Sequence, residues 1–547
     1  MFVRGDLLVT SASDLTAASY CEFAWLRRVD ARLGRAIEVP ADDDPMMARA
    51  GRLGDAHEER MLERYRAQFG RADAGDSSGV VEIARPTTMD VAGLSERADE
   101  TFAALQGEAA IVFQATFFEA EQRAAELLGD PSIAFLGFAD FLARTADGAI
   151  EVQDTKLARK AKVTALLQLA AYAEQLERLG VPVADEGVLI LGDGARSRHR
   201  IADIAPVFRE RRRRLHEILL ERARAVGVDG ERASADPVAW GAPGVVACGR
   251  CEVCAPEIEA TRDPLLIAGL RGAQRQRLVD AGLGTIDAVA RALPEVAAGG
   301  LVVPGIAPAV LERLAWQASL QVQPAVDGKP PVQVVDAASL ASIPEPNPGD
   351  LFFDFEGDPL YREPGDDEHA RWGIDYLFGM VDSEDHFTPL WAHDLPAERQ
   401  ALVDFLALVA ERRRRFPAMK IYHYAAYERT HLTSIAARHG VGEAEVDQLL
   451  REHVLVDLYP VVRRALRVGS RSYSIKKLEP LYMGDELRDE DGVTSGAQSV
   501  SEYAEATAQL TSDDAAERAE GQRRLDAIGD YNRYDCVSTQ RLRDWLL

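Results

Sequence analysis

The chain has 547 residues, of which 47% are hydrophobic, and a formal net charge of -26 at pH 7. A single hydrophobic core stops growing at about 250–300 residues, so we expect two large domains or three smaller ones. The charge argues against a generally basic nucleic-acid coat protein, because phosphate binding depends on Lys and Arg. No stretch reaches the roughly 18 consecutive apolar residues of a membrane span, and the first residues lack the apolar core of a secretory signal. We therefore expect a cytoplasmic protein with no membrane partner.

Local stretches of the chain are nevertheless rich in Lys and Arg. They lie at residues 156–162, 209–214, 412–415 and 463–477. Such a stretch either follows a nucleic-acid backbone or forms the solvated face of a helix. The sequence leaves both interpretations open for each stretch.

Helices and strands alternate in the predicted N-terminal half. Residues 11–29 predict one helix, and residues 46–69 predict a second and longer one. Residues 108–118, 133–143 and 149–155 predict strands, and a long helical pattern follows them. Strands that are followed by a packing helix indicate an α/β core.

Acidic side chains recur at the ends of these predicted strands. The segment GFADF contains Asp140, and EVQDTK contains Asp154 and Lys156. Hydrolysis of a phosphodiester needs a cation held by hard oxygen ligands, which lowers the pKa of the attacking water. Alternation along the strand places Asp154 and Lys156 on one face, where the ammonium can orient the water or stabilise the transition state. His57, on the second helix, can add a nitrogen ligand, which favours Mn²⁺ over Mg²⁺.

Two further polar residues follow on the next predicted helix. Gln168 and Tyr172 are four apart, so they share a face of the helix. From that face they can contact DNA or the attacking water. An isolated acid-x-Lys pair is more often an exposed ion pair, so the ordered set carries the interpretation. This set, His57, Asp140, Asp154 to Lys156, then Gln168 and Tyr172, resembles the RecB-like branch of the PD-(D/E)XK nucleases. The resemblance covers about residues 10–260 and implies a restriction-endonuclease-like core.

The five cysteines are unevenly placed. Cys248, Cys251 and Cys254 form a CxxCxxC group, Cys21 lies far upstream, and Cys536 is interpreted as a core residue. One cysteine before the nuclease core and three after it resembles the iron-sulfur members of the RecB-like branch, among them AddB-type and CRISPR-associated exonucleases. The resemblance implies a structural [4Fe-4S] cluster that joins the two ends of the domain. The gap before the last cysteine is narrower than is usual there, and four thiolates also suit a structural Zn²⁺, which stays open as the alternative.

Four regions are predicted along the chain. They are a nuclease-like domain over 1–262, a helical connector over 263–320, a Pro-rich linker over 321–349 and a second domain over 350–547. The connector contains two short helices joined at a Gly-rich turn and resembles a helix-hairpin-helix. The linker has the composition of an extended segment rather than of a packed element.

A second acidic set lies in the C-terminal region. In LFFDFEG, Asp354 and Glu356 are two apart on a strand with apolar neighbours, so both leave the same face. Burying two like charges requires a cation or a proton. In YNRYD, Tyr531 and Asp535 are four apart, so on a helix they point the same way.

This second set resembles the DEDD exonucleases of the RNase H-like fold, in the subclass marked by Y-x-x-x-D. The resemblance implies two metal ions held by Asp354, Glu356 and Asp535, with Tyr531 positioning the nucleophilic water for cleavage from a 3′ end.

The middle motif of that family departs from the usual pattern. An Asn followed by Phe-Asp is expected, whereas this chain has HYAAYE, so Glu428 stands where Asp is usual. Glutamate keeps the charge but moves the oxygens by one methylene, which changes the carboxylate geometry on which metal binding depends. Asp457, in VLVDLYP, is a carboxylate that could compensate.

The order of these parts resembles a bacterial family of RecB-like nucleases with a YprB-type RNase H-like domain. Larger members carry a superfamily 1 helicase, which implies such a partner in cis or in trans; this chain has no GxxxxGK[ST] motif. We predict an α/β, metal-dependent DNA nuclease, with Mg²⁺ or Mn²⁺ in both halves, acting on single strands or ends in repair or defence. The alternatives are a nucleic-acid-binding or helicase-loading module with inactive sites, and an exonuclease directed at RNA.

Overall fold

The structure is a computed structural model of the chain. It describes residues 2–4, 7–40, 45–72, 78–119, 132–224, 236–365, 370–488 and 493–547. These residues group into two compact units. The first unit is Met1–Glu257, and the second is Ile258–Gly365 with Ala370–Leu547. Within the described residues, no helix is both long enough and apolar enough to cross a bilayer.

The first unit is built on a mixed sheet of eight strands. They are β1 (Phe2–Arg4), β2 (Leu7–Ser11), β3 (Val80–Glu82), β4 (Ile111–Glu119), β5 (Ser132–Arg144), β6 (Ile150–Lys156), β7 (Glu186–Leu191) and β8 (Arg196–Arg200). The long strand β5 pairs in parallel with β2 and antiparallel with β4 and β6. Strands β6 and β7 are parallel, and β8 is the edge strand, paired antiparallel with β7. The three strands predicted for this region are confirmed as β4, β5 and β6.

Helices pack around this sheet. They are α1 (Ala12–Tyr20), α2 (Glu22–Arg32), α3 (Pro45–Phe69), α4 (Val91–Gln106), α5 (Val163–Arg178) and α6 (Ile201–Arg224). A further helix, α7 (Cys254–Ala260), begins in the last residues of this unit. The prediction of one helix over 11–29 is wrong, because Cys21 has an extended backbone (φ -156°) that ends α1. The Cys21 Sγ then accepts a hydrogen bond from the Ala24 amide and so caps α2. The predicted helix over 46–69 is confirmed as α3.

Strand β6 is buried along most of its length, and its last two residues reach the edge of the core. The first five residues of β6 are buried and the last two are half-buried. Helix α3 packs Met61, Leu62 and Tyr65 into a core with Phe141 of β5 and residues of β7. The Tyr65 hydroxyl donates to Gln153, which provides a partner for one of the buried polar side chains of β6. The charged end of β6 therefore emerges from the core as a fixed, half-buried edge.

The second unit begins with a helical segment, as the sequence predicts. Its helices are α8 (Gly272–Asp280), α9 (Ile286–Arg291), α10 (Leu293–Ala297) and α11 (Pro308–Gln321). The segment 321–349, which the sequence predicts as an extended Pro-rich linker, contains two short elements, β9 (Val332–Val334) and α12 (Ala337–Leu340). Strand β9 pairs antiparallel with β15 (Leu466–Val468), so backbone hydrogen bonds tie the Pro-rich segment to the rest of the unit.

A five-stranded sheet forms the centre of the second unit. Its strands are β10 (Leu351–Arg362), β11 (Trp372–Asp382), β12 (Phe387–Trp391), β13 (Ile421–His423) and β14 (Leu455–Asp457), in the order β12-β11-β10-β13-β14. Pairing is antiparallel from β12 to β10 and parallel from β10 to β14. Phe353 and Phe355 belong to one apolar core and Phe352 to another, so alternate residues of β10 face opposite sides of the sheet. The predicted strands at LFFDFEG and KIYHY are confirmed as β10 and β13.

Helices cover both faces of this sheet. They are α13 (Leu395–Arg415), α14 (Tyr427–His439), α15 (Glu443–Arg451), α16 (Leu458–Ala465), α17 (Ile475–Tyr482), α18 (Gly496–Leu510) and α19 (Ala515–Leu546). The close approach of α19 depends on Gly379 of β11, because a Cβ there would overlap the amide oxygen of Asn532. Asn532 donates from Nδ2 to Asp354 Oδ2 at 2.8 Å. This contact fixes α19, with Tyr531 and Asp535, over the acidic face of β10.

The interpretation of Cys536 as a core residue is confirmed. Its side chain is fully buried, and its Sγ lies 3.4 Å from the carbonyl oxygen of Gly379, to which it donates. The thiol packs in the same apolar core as Phe352. Cys536 therefore helps to seat α19 on the sheet.

Candidate metal centres

Four cysteines meet in the first unit. The Sγ atoms of Cys21, Cys248, Cys251 and Cys254 all lie within 4.8 Å of one another. Cys254 Sγ is 3.6 Å from Cys21 Sγ and 3.9 Å from Cys248 Sγ, and all four are free cysteines. Four sulfur atoms at such separations can surround one metal ion or one small cluster. The predicted grouping of these cysteines is confirmed.

The surroundings of Cys21 stabilise a thiolate. A hydrogen bond with Cys254 and the backbone amides of Cys248 and Ala24 lower the pKa of Cys21 to about 5. Burial raises the pKa of Cys251 to about 11. Without a metal, only part of this group is therefore charged near neutral pH. A bound cation stabilises all four thiolates, so the donor set fits either a Zn²⁺ ion or an iron-sulfur cluster.

A cavity of about 420 Å³ opens at the end of β6 in the first unit. The predicted residues that line it are Asp140, Asp154, Lys156, Gln168 and Tyr172. The Tyr172 hydroxyl donates to the carbonyl oxygen of Phe138 at 2.8 Å, which holds α5 against β5. The structure thus brings five of the six residues predicted for the first site to one surface.

The two aspartates of this cavity are held differently. Asp140 Oδ2 accepts from both the amide and the hydroxyl of Thr155, each at 2.7 Å. Asp154 is buried, and its Oδ2 lies 2.5 Å from Lys156 Nζ. Burial and the nearby charge of Asp140 raise the pKa of Asp154 to about 7. A divalent cation would offset both effects, and carboxylate oxygens are the ligands it prefers.

A second acidic centre lies in the second unit. One carboxylate oxygen from each of Asp354, Glu356 and Asp535 lies within 4.8 Å of the other two. We call these three residues the acidic triad. Strand β10 supplies Asp354 and Glu356, two apart on one face, and helix α19 supplies Asp535 across the Asn532 contact. The predicted convergence of these three side chains is therefore present in the structure.

Electrostatics in the acidic triad favour a cation. Burial and repulsion by Asp535 and Glu356 raise the pKa of Asp354 well above its usual range. Burial, and then the charge of Asp535, raise the pKa of Glu356 to about 8. Buried carboxylates that repel one another must take up protons or bind positive charge. Three hard oxygen donors at this separation fit Mg²⁺ or Mn²⁺.

Family models match both halves of the chain. Residues 9–255 match the PD-(D/E)XK nuclease superfamily, and residues 351–547 match the RNase H superfamily. The chain joins two nuclease-superfamily domains. No curated protein matches the chain. Both acidic centres lie within the matched residues, which supports a metal-dependent nuclease with nucleic-acid substrates and confirms the predicted α/β fold class with two nuclease-type domains.

Glu58 of the PD-(D/E)XK domain was not foreseen from the sequence. It lies on α3, lines the cavity, and accepts a hydrogen bond from Gln114. Burial and the charge of Asp140 raise the pKa of Glu58 to about 7. Neighbouring carboxylates occur on several sides of α3, and only the packing of the helix determines which of them faces Asp140.

His57, the residue before Glu58, faces a different neighbour. Its side chain is buried, and its Nε2 lies 3.3 Å from the carbonyl oxygen of Ile190. Ile190 is paired with Thr155 across the β6–β7 ladder, so His57 lies behind the strand that carries Asp154. His57 is absent from the described residues that line the cavity. A role for His57 as a metal ligand stays a prediction.

Two cations accompany the acidic triad of the RNase H domain. Lys476 donates from Nζ to the Tyr531 hydroxyl at 3.0 Å. Arg488 forms an ion pair with Asp535, and its guanidinium lies 4.8 Å from the centroid of the Tyr531 ring. Lys476 belongs to a basic stretch seen in the sequence, whereas Arg488 is isolated there. Nothing in the local sequence indicates that Arg488 reaches the triad.

Glu428 lies near the triad but has its own partner. It is buried, and its Oε2 lies 3.0 Å from His423 Nδ1. The charge of Glu428 contributes to the raised pKa of Asp354, so the two carboxylates interact across a short distance. Asp457 accepts from the amides of Ala425 and Tyr459, each at 2.9 Å, and caps α16. The catalytic role of Glu428 stays a prediction.

Proposed function

We propose that the protein is a metal-dependent DNA nuclease, an exonuclease that acts on single strands or ends, with one site in each domain. The observation that carries this proposal is the convergence of Asp354, Glu356 and Asp535 from two separate elements onto one buried point. Such an arrangement is costly without a cation, and a cation held there can neutralise the oxygens of a reacting phosphate.

In the PD-(D/E)XK domain, Asp140 and Asp154 would hold the cation at the end of β6. Lys156, half-buried beside Asp154, is placed to stabilise the charge that develops on the phosphate. Gln168 and Tyr172 line the same cavity and would contact the DNA or orient the water. His57 would add a nitrogen ligand if its ring is released from Ile190.

In the RNase H domain, the acidic triad would hold the cations. Tyr531 lies on the same face of α19 as Asp535, and its hydroxyl is positioned by Lys476. Burial and the neighbouring carboxylates raise the pKa of Tyr531, so its hydroxyl keeps its proton and can donate a hydrogen bond. We assign to Tyr531 the positioning of the attacking water, with Glu428 as the fourth carboxylate of the site.

We propose a [4Fe-4S] cluster at the four cysteines, with Zn²⁺ as the alternative. Both would act structurally, because the cysteines lie between α1 and α2, in α7 and in the segment before α7, and none of them is among the described residues that line the acidic cavity. Iron, sulfide and zinc contents of protein purified without oxygen distinguish the two. Equal iron and sulfide, about four of each per chain, are expected; zinc without sulfide would replace the cluster.

The cellular role is proposed on the same basis. A nuclease of this kind would act in DNA repair or defence, in the cytoplasm, with a superfamily 1 helicase as a partner in cis or in trans. RNA is the alternative substrate of the RNase H domain. These assignments come from the resemblance of the two motif sets to RecB-like and DEDD nucleases.

The proposal is tested by cleavage of end-labelled single-stranded and duplex DNA with Mg²⁺ or Mn²⁺. The comparison uses the wild type, Asp154→Asn, Asp354→Asn and the double variant. Each single variant should lose a different product, and the double variant should lose both. Asp147→Asn in the β5–β6 turn and Asp404→Asn on α13 are matched controls, because both carboxylates are exposed. Cleavage that persists in the double variant would contradict both assignments.

A second candidate function is nucleic-acid binding without cleavage by the RNase H domain. Two observations favour it. Arg488 forms an ion pair with Asp535, and His423 lies within hydrogen-bond distance of Glu428, so both carboxylates already have partners. Calorimetric titration of the Asp154→Asn variant with Mn²⁺ separates the two functions. Tight binding that disappears when Asp354→Asn is added supports the nuclease, and no binding supports the binding domain.

A further inference from the structure

An arginine-rich cavity lies in the second unit and belongs to neither acidic centre. It has a volume of about 540 Å³. The arginines that line it are Arg313, on α11, and Arg463, Arg464 and Arg467, from α16 and β15. We call it the arginine cavity. Three of these residues lie in the basic stretch 463–477, which the sequence leaves open between a solvated face and a backbone contact.

The positive charge of the arginine cavity exceeds the negative charge that lines it. Within the part of the chain that the structure describes, none of the four guanidinium groups has a carboxylate oxygen within 4.0 Å. Asp336 also lines the cavity and offsets part of this charge, since hydrogen bonds from Ser339 and then the charge of Arg464 lower its pKa; three of the four positive charges remain. By contrast, Arg541 of the same unit pairs with Asp385. In a chain of net charge -26, four guanidinium groups at one concave surface indicate that an anion binds there.

The fold holds two of the arginines in place. The Arg463 guanidinium lies 5.2 Å from the centroid of the Tyr473 ring, and its Nη1 donates to the Tyr459 hydroxyl at 3.2 Å. Arg467 donates from Nη1 to the carbonyl oxygens of Arg463 and Leu466, at 3.2 and 2.9 Å. Side chains fixed in this way lose little conformational freedom when they bind a ligand.

The remaining two arginines are free to contact a ligand. Arg313 and Arg464 are exposed at the cavity, and the structure records neither a hydrogen bond nor an ion pair for their side chains among the described residues. Guanidinium groups bind phosphate through two parallel hydrogen bonds, a geometry that lysine cannot reproduce. The arginine cavity therefore combines two fixed and two available phosphate donors.

A short segment connects the arginine cavity with the acidic triad. Tyr473 lines the cavity, and Lys476, three residues later, contacts the Tyr531 hydroxyl at 3.0 Å. Three residues span at most about 11 Å even when fully extended. Tyr473 is itself held by Gln317, to which its hydroxyl donates at 2.9 Å. The cavity and the triad therefore contact neighbouring residues of one short segment.

We propose that the arginine cavity binds backbone phosphates of the single strand whose end enters the acidic triad; this rests on the proposed nuclease function. The chemistry of the cavity selects phosphate, and its position selects a strand that continues from the triad.

The test measures binding of a labelled single-stranded oligodeoxynucleotide by fluorescence anisotropy, in EDTA, so that cleavage plays no part. The variant Arg313→Gln/Arg464→Gln removes the two arginines without recorded contacts and should retain the wild-type melting temperature. We expect several-fold weaker binding and a salt dependence whose slope falls by roughly 0.7 for each lost phosphate contact. The control variant Arg399→Gln/Arg451→Gln removes the same charge from exposed positions on α13 and α15, outside the basic stretches, and should bind like the wild type.

Two results would overturn the proposal. One is an unchanged affinity and slope in the Arg313/Arg464 variant. The other is a loss of affinity that is not specific. In that case the Arg313/Arg464 variant binds duplex DNA as weakly as single-stranded DNA, or the control variant loses as much affinity for the single strand. Because no metal is present, the outcome is independent of cleavage. Loss of cleavage in Asp354→Asn alongside normal binding by the arginine variant would leave the nuclease assignment intact and remove only this inference.

Discussion

Arg488 forms an ion pair with Asp535, the carboxylate that α19 contributes to the acidic triad. The same guanidinium lies over the ring of Tyr531, the residue assigned to position the water. Without a bound metal, the protein therefore neutralises part of the triad with its own cation. A divalent ion at Asp354, Glu356 and Asp535 must displace this guanidinium or bind beside it.

The Arg488→Gln variant should be less stable than the wild type when metal is absent, and more strongly stabilised by Mn²⁺. Removing the guanidinium leaves Asp535 without its charged partner, which we expect to cost about 1–3 kcal/mol. Bound Mn²⁺ replaces that positive charge, so the two proteins should melt closer together when the ion is saturating. Thermal unfolding with and without Mn²⁺ measures both effects. Arg533→Gln, an exposed position on α19, is the control. If Mn²⁺ raises the melting temperature equally in all three proteins, the ion does not compete with Arg488.

Stability of the metal-free RNase H domain should fall as the pH rises from about 4.5 to about 8. The folded-state pKa of Glu356 is raised to about 8 from the ordinary value of 4.5. Within this window the folded state binds more protons than the unfolded state, so folding is favoured at low pH, and that contribution disappears above pH 8. Glu356→Gln should flatten this decline, as followed by thermal unfolding in EDTA. If the stability of the Glu356→Gln variant declines by the same amount over this pH range, groups other than Glu356 cause the decline.

Sequence spacing predicts the two halves of the acidic site because each half is local, whereas their convergence is expected only from the resemblance to the DEDD exonucleases. Two residues on a strand share a face when they are two apart, and two on a helix share a face when they are four apart. Asp354 with Glu356 and Tyr531 with Asp535 satisfy these rules. Buried apolar neighbours on β10 then determine which face is covered. The strand, the helix and the face on which each pair lies follow from such patterns.

Contacts between distant segments could not be predicted in the same way. Arg488 reaches Asp535 from 47 positions earlier in the chain, through the packing of α17 and α19. The break between α1 and α2 depends on Cys21 accepting hydrogen bonds from Ala24 and Cys248, of which the second is 227 residues away. A helical pattern over 11–29 carries no sign of that contact. Tertiary packing therefore decides what the periodicity leaves undetermined.

Glu58 should contribute to metal binding in the PD-(D/E)XK domain. Glu58 lines the cavity and interacts electrostatically with Asp140 and Asp154, so Glu58→Gln removes negative charge beside the cation and should weaken Mn²⁺ binding on the order of ten-fold. Calorimetric titration in the Asp354→Asn background isolates this site. Glu59→Gln is the matched control, because Glu59 is exposed and pairs with Arg66. Equal affinities in the two glutamine variants would remove Glu58 from the site.

His57→Gln in the same titration addresses the predicted nitrogen ligand. If His57 binds the ion, its replacement should weaken Mn²⁺ more than Mg²⁺, because nitrogen ligands favour Mn²⁺. If the ring remains against Ile190, as the structure has it, the two ions should be affected equally and weakly. A selective loss of Mn²⁺ would require the ring to turn toward Asp154 when metal is bound.

Cys251→Ala should destabilise the first unit in two ways. It removes a metal ligand from the folded state, and it releases a cross-link that restricts the conformations of the unfolded chain. The cysteine group joins residue 21 to residues 248–254, so a bound metal closes a loop of more than 200 residues. By analogy with a disulfide that closes a loop of this length, we expect a loss of about 3–5 kcal/mol, provided that the native geometry is unstrained. Differential scanning calorimetry should show that wild type stripped of its metal melts like the variant. A variant that melts like the metal-loaded wild type would mean that the cysteines contribute no structural cross-link.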